Sequence, residues 1–226
     1  MRTLAQLALA SILCVAVGTA HGSEGSKTFE VTITNITRGQ QFTPLLLLTH
    51  RASLQLFKLG QPATPELATL AEEGNVAPLK AVLDGNAAVA RTVAGSGLTD
   101  PGKSTTLRIA TRQGFDRLSI AAMLIPTNDA FVALNSFDLD QVGHDRRSVT
   151  VFAIAYDAGS ERNDELCSSI PGPSFMECGG PGGGGRVGDG EGFVHVHSGI
   201  HGVGSFEPAG RAWLNPVAEI AIRRMR

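Results

Sequence analysis

The chain is poor in charge of any one sign, in sulfur and in aromatic rings. Its 19 lysines and arginines stand against 21 aspartates and glutamates, a formal net charge of −2. The two signs are interspersed, which removes the electrostatic footprint that nucleic acid or an anionic membrane would need. Motifs of familiar chemistry are missing as well. There is no Gly-x-Ser-x-Gly elbow and no EF-hand loop, and the glycine tract from Gly179 to Gly190 has no Lys-Ser/Thr ending to cradle a phosphate. That tract reads as a linker between strands.

Arg2 precedes an apolar run from Leu4 to Val17 that is short for a membrane span and ends in small residues. Gln6 and Ser11 are too few to give it the polar face of a core helix. Cys14 follows Leu13, where a lipoprotein signal would place a small residue. The run is therefore expected to be a signal peptide over residues 1–20, cleaved after Ala20, followed by a flexible stretch over 21–27. It implies a secreted or periplasmic protein whose mature chain has no transmembrane segment. The remaining roughly 200 residues suffice for one core. Cys14 leaves with the signal, so Cys167 and Cys178 are expected to pair as a disulfide in an oxidising compartment. On the chain-entropy estimate, closing so short a loop contributes about 3 kcal/mol.

The periodicity is mostly that of strands. Phe29 to Ile36 alternates apolar and polar residues, and Phe42 to Leu48 is a continuous apolar run interrupted by Pro44. Between Thr64 and Gly95 the period changes, and caps and stops suggest three short helices starting at Thr64, Asn75 and Asn86. Strand signals resume at Ser104–Thr111, Arg117–Ile125, Ala130–Leu134, Ser148–Tyr156, Phe193–His197 and Val217–Arg223. The pattern predicts a mainly β protein, an antiparallel β-sandwich with a helical insertion over about 64–95. Leu118–Ile125 and Val149–Tyr156 are expected to be central strands.

Two acidic turns follow those strands, Pro126-Thr-Asn-Asp129 and Asp157-Ala-Gly-Ser-Glu161. If the strands run parallel in space, both turns lie at one end and Asp129, Asp157 and Glu161 can converge. Converging carboxylates raise one another's pKa unless a cation neutralises them, and oxygen ligands on loops suit Ca²⁺. The plainer reading is of ordinary turn acids bonding their own backbone.

The stretch Pro126-Thr-Asn-Asp-Ala-Phe-Val-Ala resembles the Pro-Ser-Pro-Asp-Trp-Phe-Val-Gly segment of the spondin N-terminal domain family. Tyr156-Asp-Ala-Gly-Ser-Glu161 is similar to that family's Asp-Ala-Gly-Thr-Asp segment. The opening strand from Val31, the Phe42-Thr-Pro44 turn and the strand from Pro216 to Ile222 follow in the family's order. The resemblance implies a C2-like sandwich over residues 28–226 in an extracellular adhesion setting, with calcium held by acids of these two loops. Asp129 and Asp157 match the ligand positions, whereas Glu161 stands where the family commonly has Asp. A non-enzymatic module binding a protein or surface glycan follows from the resemblance. The helical insertion, the Cys167–Cys178 loop and the glycine tract depart from the pattern.

A second constellation is His195, His197 and His201. The first two alternate on a predicted strand and project from one face, and the third can return from the next turn, a set suited to Zn²⁺ or Cu²⁺. The His-x-His pair is similar to that of copper/zinc superoxide dismutase, which makes a metalloenzyme the rival expectation, with His50 or His144 as additional ligands. The competing structural reading is three hydrogen-bonded histidines on a sheet face.

Overall fold

The structure of the protein, a computed structural model, describes residues 26–143, 148–184 and 188–226. The expected signal peptide, the stretch up to residue 25 and His144 lie outside the described residues. In the first half the elements are β1 (Lys27–Asn35), β2 (Gln41–Phe42), β3 (Leu46–His50), α1 (Pro65–Glu73), α2 (Ala77–Asp84), β4 (Val89–Ala94) and β5 (Ser104–Thr111). There follow β6 (Arg117–Ile125), β7 (Ala130–Asp138), β8 (Val149–Asp157), β9 (Ser174–Phe175), β10 (Gly180–Pro181), β11 (His195–Val196), α3 (Pro208–Arg211) and β12 (Ala218–Arg224).

Antiparallel pairing joins most strands into one sheet in the order β4-β3-β6-β7-β8-β12-β1-β5, with β11 added on β8 and β2 on β6. The expected sandwich is thus one hydrogen-bonded path folded back on itself rather than two separate sheets. Its interior is filled by alternate residues. Phe29, Val31 and Ile33 of β1 point inward, as do Ile220 and Ile222 of β12, against Leu47, Ile120, Ala122 and Val132 from the other half.

The helices explain why β3, β6 and β7 are apolar at nearly every position. Leu46, Leu48, Ala121, Phe131 and Ala133 face outward from that half of the sheet, and Leu67, Leu70, Leu79 and Leu83 of α1 and α2 cover them. These strands are buried on both faces, which removes the polar alternation expected of a half-exposed strand. In β8 the burial does alternate, although it too is flanked on both sides, by β7 and β12.

The first helix begins as its cap predicts, the Thr64 side chain accepting the Leu67 N–H. The second begins one residue later than expected: Val76 is its N-cap and makes no side-chain cap bond, while Asn75 Oδ1 accepts the N–H of Ala77, the first residue of α2. The third expected helix is absent: Asn86 caps a turn, and Val89–Ala94 is strand β4. Its residues pair with the open edge of β3 from Leu46↔Ala94 to His50↔Val89. Val89 and Val93 suit either a helix face or a strand over so short a span, and satisfying the backbone of β3 decides the outcome. Two smaller expectations also shift. Lys27 begins β1 rather than ending a flexible stretch, and the strand expected over 193–197 shrinks to His195–Val196. Within the glycine tract, Gly180–Pro181 pairs with Ser174–Phe175, so it is more than a linker there.

Candidate metal centre

Strand order places the two acidic turns together. β7 lies between β6 and β8 and is antiparallel to both, so β6 and β8 run parallel and end on the same side. Ala130 pairs with Asp157, and the Ala158 N–H donates to the Asp129 carbonyl at 3.2 Å. On the other side of β8, β11 pairs His195 with Asp157 and Val196 with Tyr156. Asp157 therefore has Asp129's turn on one flank and the histidine strand on the other.

Asp129 and Asp157 are both fully buried. Asp129 Oδ2 accepts the Ser160 N–H at 2.8 Å, the Glu161 N–H at 3.0 Å and the Ser160 hydroxyl at 3.1 Å. Its Oδ1 is buried with no hydrogen-bond partner among the described residues. Burial, reinforced by the charge of Asp157, pushes the Asp129 pKa up to about 7 against the pull of those three donors. Asp157 Oδ1 accepts the Gly159 N–H and Oδ2 the Asn163 side-chain amide, each at 2.7 Å. Gly159 turns in the left-handed region, and a Cβ there would collide with the Phe193 backbone, so glycine lets the histidine segment close on this turn. Glu161 is also buried here, and its backbone N–H helps hold Asp129.

The imidazoles divide. His195 Nε2 is 3.6 Å from Asp157 Oδ1 and 3.5 Å from Glu191 Oε2, and His197 Nε2 is 3.8 Å from Asp157 Oδ2. Burial disfavours the charged form of His195, but the Val196 carbonyl, Asp157 and Glu191 together outweigh it and raise the pKa. Deeper burial, with repulsion from His195 and His201, lowers that of His197 to about 4. His201 belongs elsewhere: it is exposed, its Nε2 shares a 2.8 Å hydrogen bond with Ser198 Oγ, and its N–H donates to Glu165. The expected three-histidine set does not converge as one ligating group among the described residues, since the His201 ring is turned to Ser198. His50 is no closer, since it pairs with Arg117 at the opposite end of β6. Among the described residues, a set of ligating atoms all within 4.8 Å of one another comes from Asp157, Glu191 and His195.

Glu165 and Glu191 were not legible as site residues. Glu165, buried at a positive φ, receives the backbone N–H groups of His201, Gly202 and Val203 at 2.6–3.1 Å. Glu191 stands four residues before His195, and the bends at Gly192 and Phe193 that carry its carboxylate back to the ring leave no periodic signal in the sequence. Cys167 and Cys178 form the expected disulfide.

No curated protein is significantly similar to the chain. The Spondin_N family model matches residues 26–169, well over half of the sequence and a span that includes Asp129, Asp157 and Glu161. With that match, the sandwich-like fold and the two acidic turns at one end of it, the chain belongs to the spondin N-terminal domain family.

Proposed function

We propose that this spondin-type module is an exported, non-enzymatic interaction domain that binds Ca²⁺ at its acidic end and holds a protein or surface glycan there. The observation that carries the reading is the buried Asp129–Asp157 pair, in which one Asp129 oxygen has no donor while its neighbour's charge opposes ionisation. A hard divalent cation relieves both conditions at once, which a further hydrogen bond would not. Asp129 Oδ1 and the Asp157 carboxylate would hold the ion, with Glu161 as an adjacent acid. Bound Ca²⁺ supplies positive charge that lets both aspartates ionise. The chain's own residues fix the loops: Ser160 and Glu161 orient Asp129, while Gly159 and Asn163 orient Asp157. Three segments, at 126–129, 157–165 and 191–201, would then form one stiff edge for a partner. The disulfide is consistent with an oxidising, extracytoplasmic compartment.

The test is a thermal-denaturation series in Ca²⁺ for the wild type and Asp129→Asn. At a concentration 100 times the Kd, linkage gives about 2.7 kcal/mol, a rise in Tm of roughly 5–10 °C for a domain this size. Asp129→Asn is expected to abolish the rise. An unresponsive wild type, or a variant that responds equally, refutes the calcium reading.

A further inference from the structure

We infer that Asp157, Glu191 and His195 form a second metal site, suited to a divalent transition ion such as Zn²⁺, at the junction of β8 and β11. A backbone carbonyl fixes the tautomer of neutral His195. Its Nδ1 lies 3.2 Å from the Val196 carbonyl oxygen, which can only accept, so Nδ1 carries the proton and the neutral ring presents a lone pair at Nε2. That lone pair faces Asp157 Oδ1 at 3.6 Å and Glu191 Oε2 at 3.5 Å, and Nε2 is buried with no hydrogen-bond partner among the described residues. With the ring neutral, three electron-rich atoms meet with no donor between them, and a metal ion competes for that position with the proton that would otherwise bridge Nε2 to the two carboxylates. A ligating histidine usually donates its other ring N–H to a carbonyl or carboxylate, which is the arrangement at His195.

The spacing is appropriate. Bonds of 2.0–2.1 Å in a tetrahedron put neighbouring donors ~3.3 Å apart, close to the two separations found here. One nitrogen and two carboxylates leave a fourth position open and favour an ion softer than Ca²⁺, which takes oxygen. His197 plays a different part. Its Nδ1 accepts the Gly199 N–H at 2.9 Å, so the neutral ring carries its proton on Nε2 and cannot ligate there. The residue is 5% exposed, and its Nε2–H lacks a hydrogen-bond partner among the described residues and lies 3.8 Å from Asp157 Oδ2. His197 is a positioning residue that steadies the oxygen of Asp157 turned away from the ion. Glu191 and His195 lie beyond the family match, so the site is an addition to the acidic turns and shares only Asp157 with the proposed calcium site.

The full chain, stripped of metal, would be titrated with Zn²⁺ in competition with a chromophoric chelator, and with Co²⁺ followed by its visible ligand-field bands. One equivalent of Zn²⁺ and tetrahedral Co²⁺ bands are expected. Glu191→Gln and His195→Ala should each weaken Zn²⁺ by more than the ~10–100-fold typical of losing an outer-shell partner, and His197→Gln by about that amount. Glu191 is exposed, so Glu191→Gln tests the site without threatening the core. Wild type that binds no Zn²⁺, or binding that survives both ligand changes, overturns the inference. In that event the three atoms share a proton instead. Calcium response retained in Glu191→Gln, with Zn²⁺ lost, separates this site from the calcium reading; either can fail while the other stands.

Discussion

Two buried carboxylates at the same end of the molecule have opposite surroundings. Glu165 has both oxygens occupied by three backbone N–H groups, and its own backbone accepts from Ser205 and donates to Asn128. Asp129 concentrates three donors on one oxygen and has none on the other, which lies within reach of Asp157's charge. A buried anion surrounded by amides is fully compensated and serves to pin a loop. One left half-compensated beside a like charge is destabilising in isolation, which is the ground for the cation proposed there. The difference separates a structural acid from the proposed ligand more clearly than burial, which is nearly the same for both.

The largest effect should come from removing the compensated acid. Glu165→Ala leaves three N–H groups of the 201–203 turn without acceptor and is expected to cost about 2–3 kcal/mol, measured by urea denaturation. Calcium should not rescue it. Asp129→Asn in chelator, by contrast, should leave stability at neutral pH unchanged or higher, because a repulsive charge goes. If the two substitutions cost the same, the distinction between the two acids is wrong.

Asp129 and His197 respond to pH in opposite directions. Without metal, folded Asp129 keeps its proton to about pH 7 while the unfolded residue releases it near 3.8, so its contribution makes stability fall as pH rises through that window. His197 acts in the other direction: folded it stays neutral down to about pH 4, whereas unfolded it takes a proton near 6.5, so its contribution is lost as pH falls. The two largely cancel between pH 4 and 6.5 in chelator. Saturating Ca²⁺, or Asp129→Asn, should remove the first and leave stability rising with pH by up to a few kcal/mol across the window. Denaturation midpoints for wild type and variant across the same pH series decide it, since every other titrating group is common to both. Parallel curves in chelator would sink the assignment.

The smallest effect concerns Asn163. Asn163→Ala removes one donor from Asp157 and is expected to cost about 1 kcal/mol and weaken calcium by less than tenfold, by calorimetric titration.

The alternating strands, the capped helices and the two acidic turns were legible because each rests on local chemistry: a period of two, a Thr-Pro start, an Asp after an apolar run. That β6 and β8 are parallel neighbours across β7 was a condition the sequence posed, and the register supplied it. What stayed hidden depends on partners remote in sequence. Val89–Ala94 is a strand because β3 has an open edge, and His195 meets Asp157 because β11 docks on β8. The division of labour among the histidines was equally illegible. It turns on which ring nitrogen meets a carbonyl and which meets an amide, and only folded geometry determines that.

One consequence of the strand order concerns assembly. The segment that matches the family ends at residue 169, yet β12, residues 218–224, sits between β8 and β1 and pairs with both. Without it those two strands would each present an unpaired row of amides and carbonyls to water, the kind of edge that recruits other chains. The sheet is therefore closed from the inside by a late strand, and the polypeptide must hold two sticky edges apart until residues 218–224 have arrived. A chain built this way gains from delaying collapse until its last strand is available, and any cut that removes β12 should yield aggregates rather than a smaller working domain.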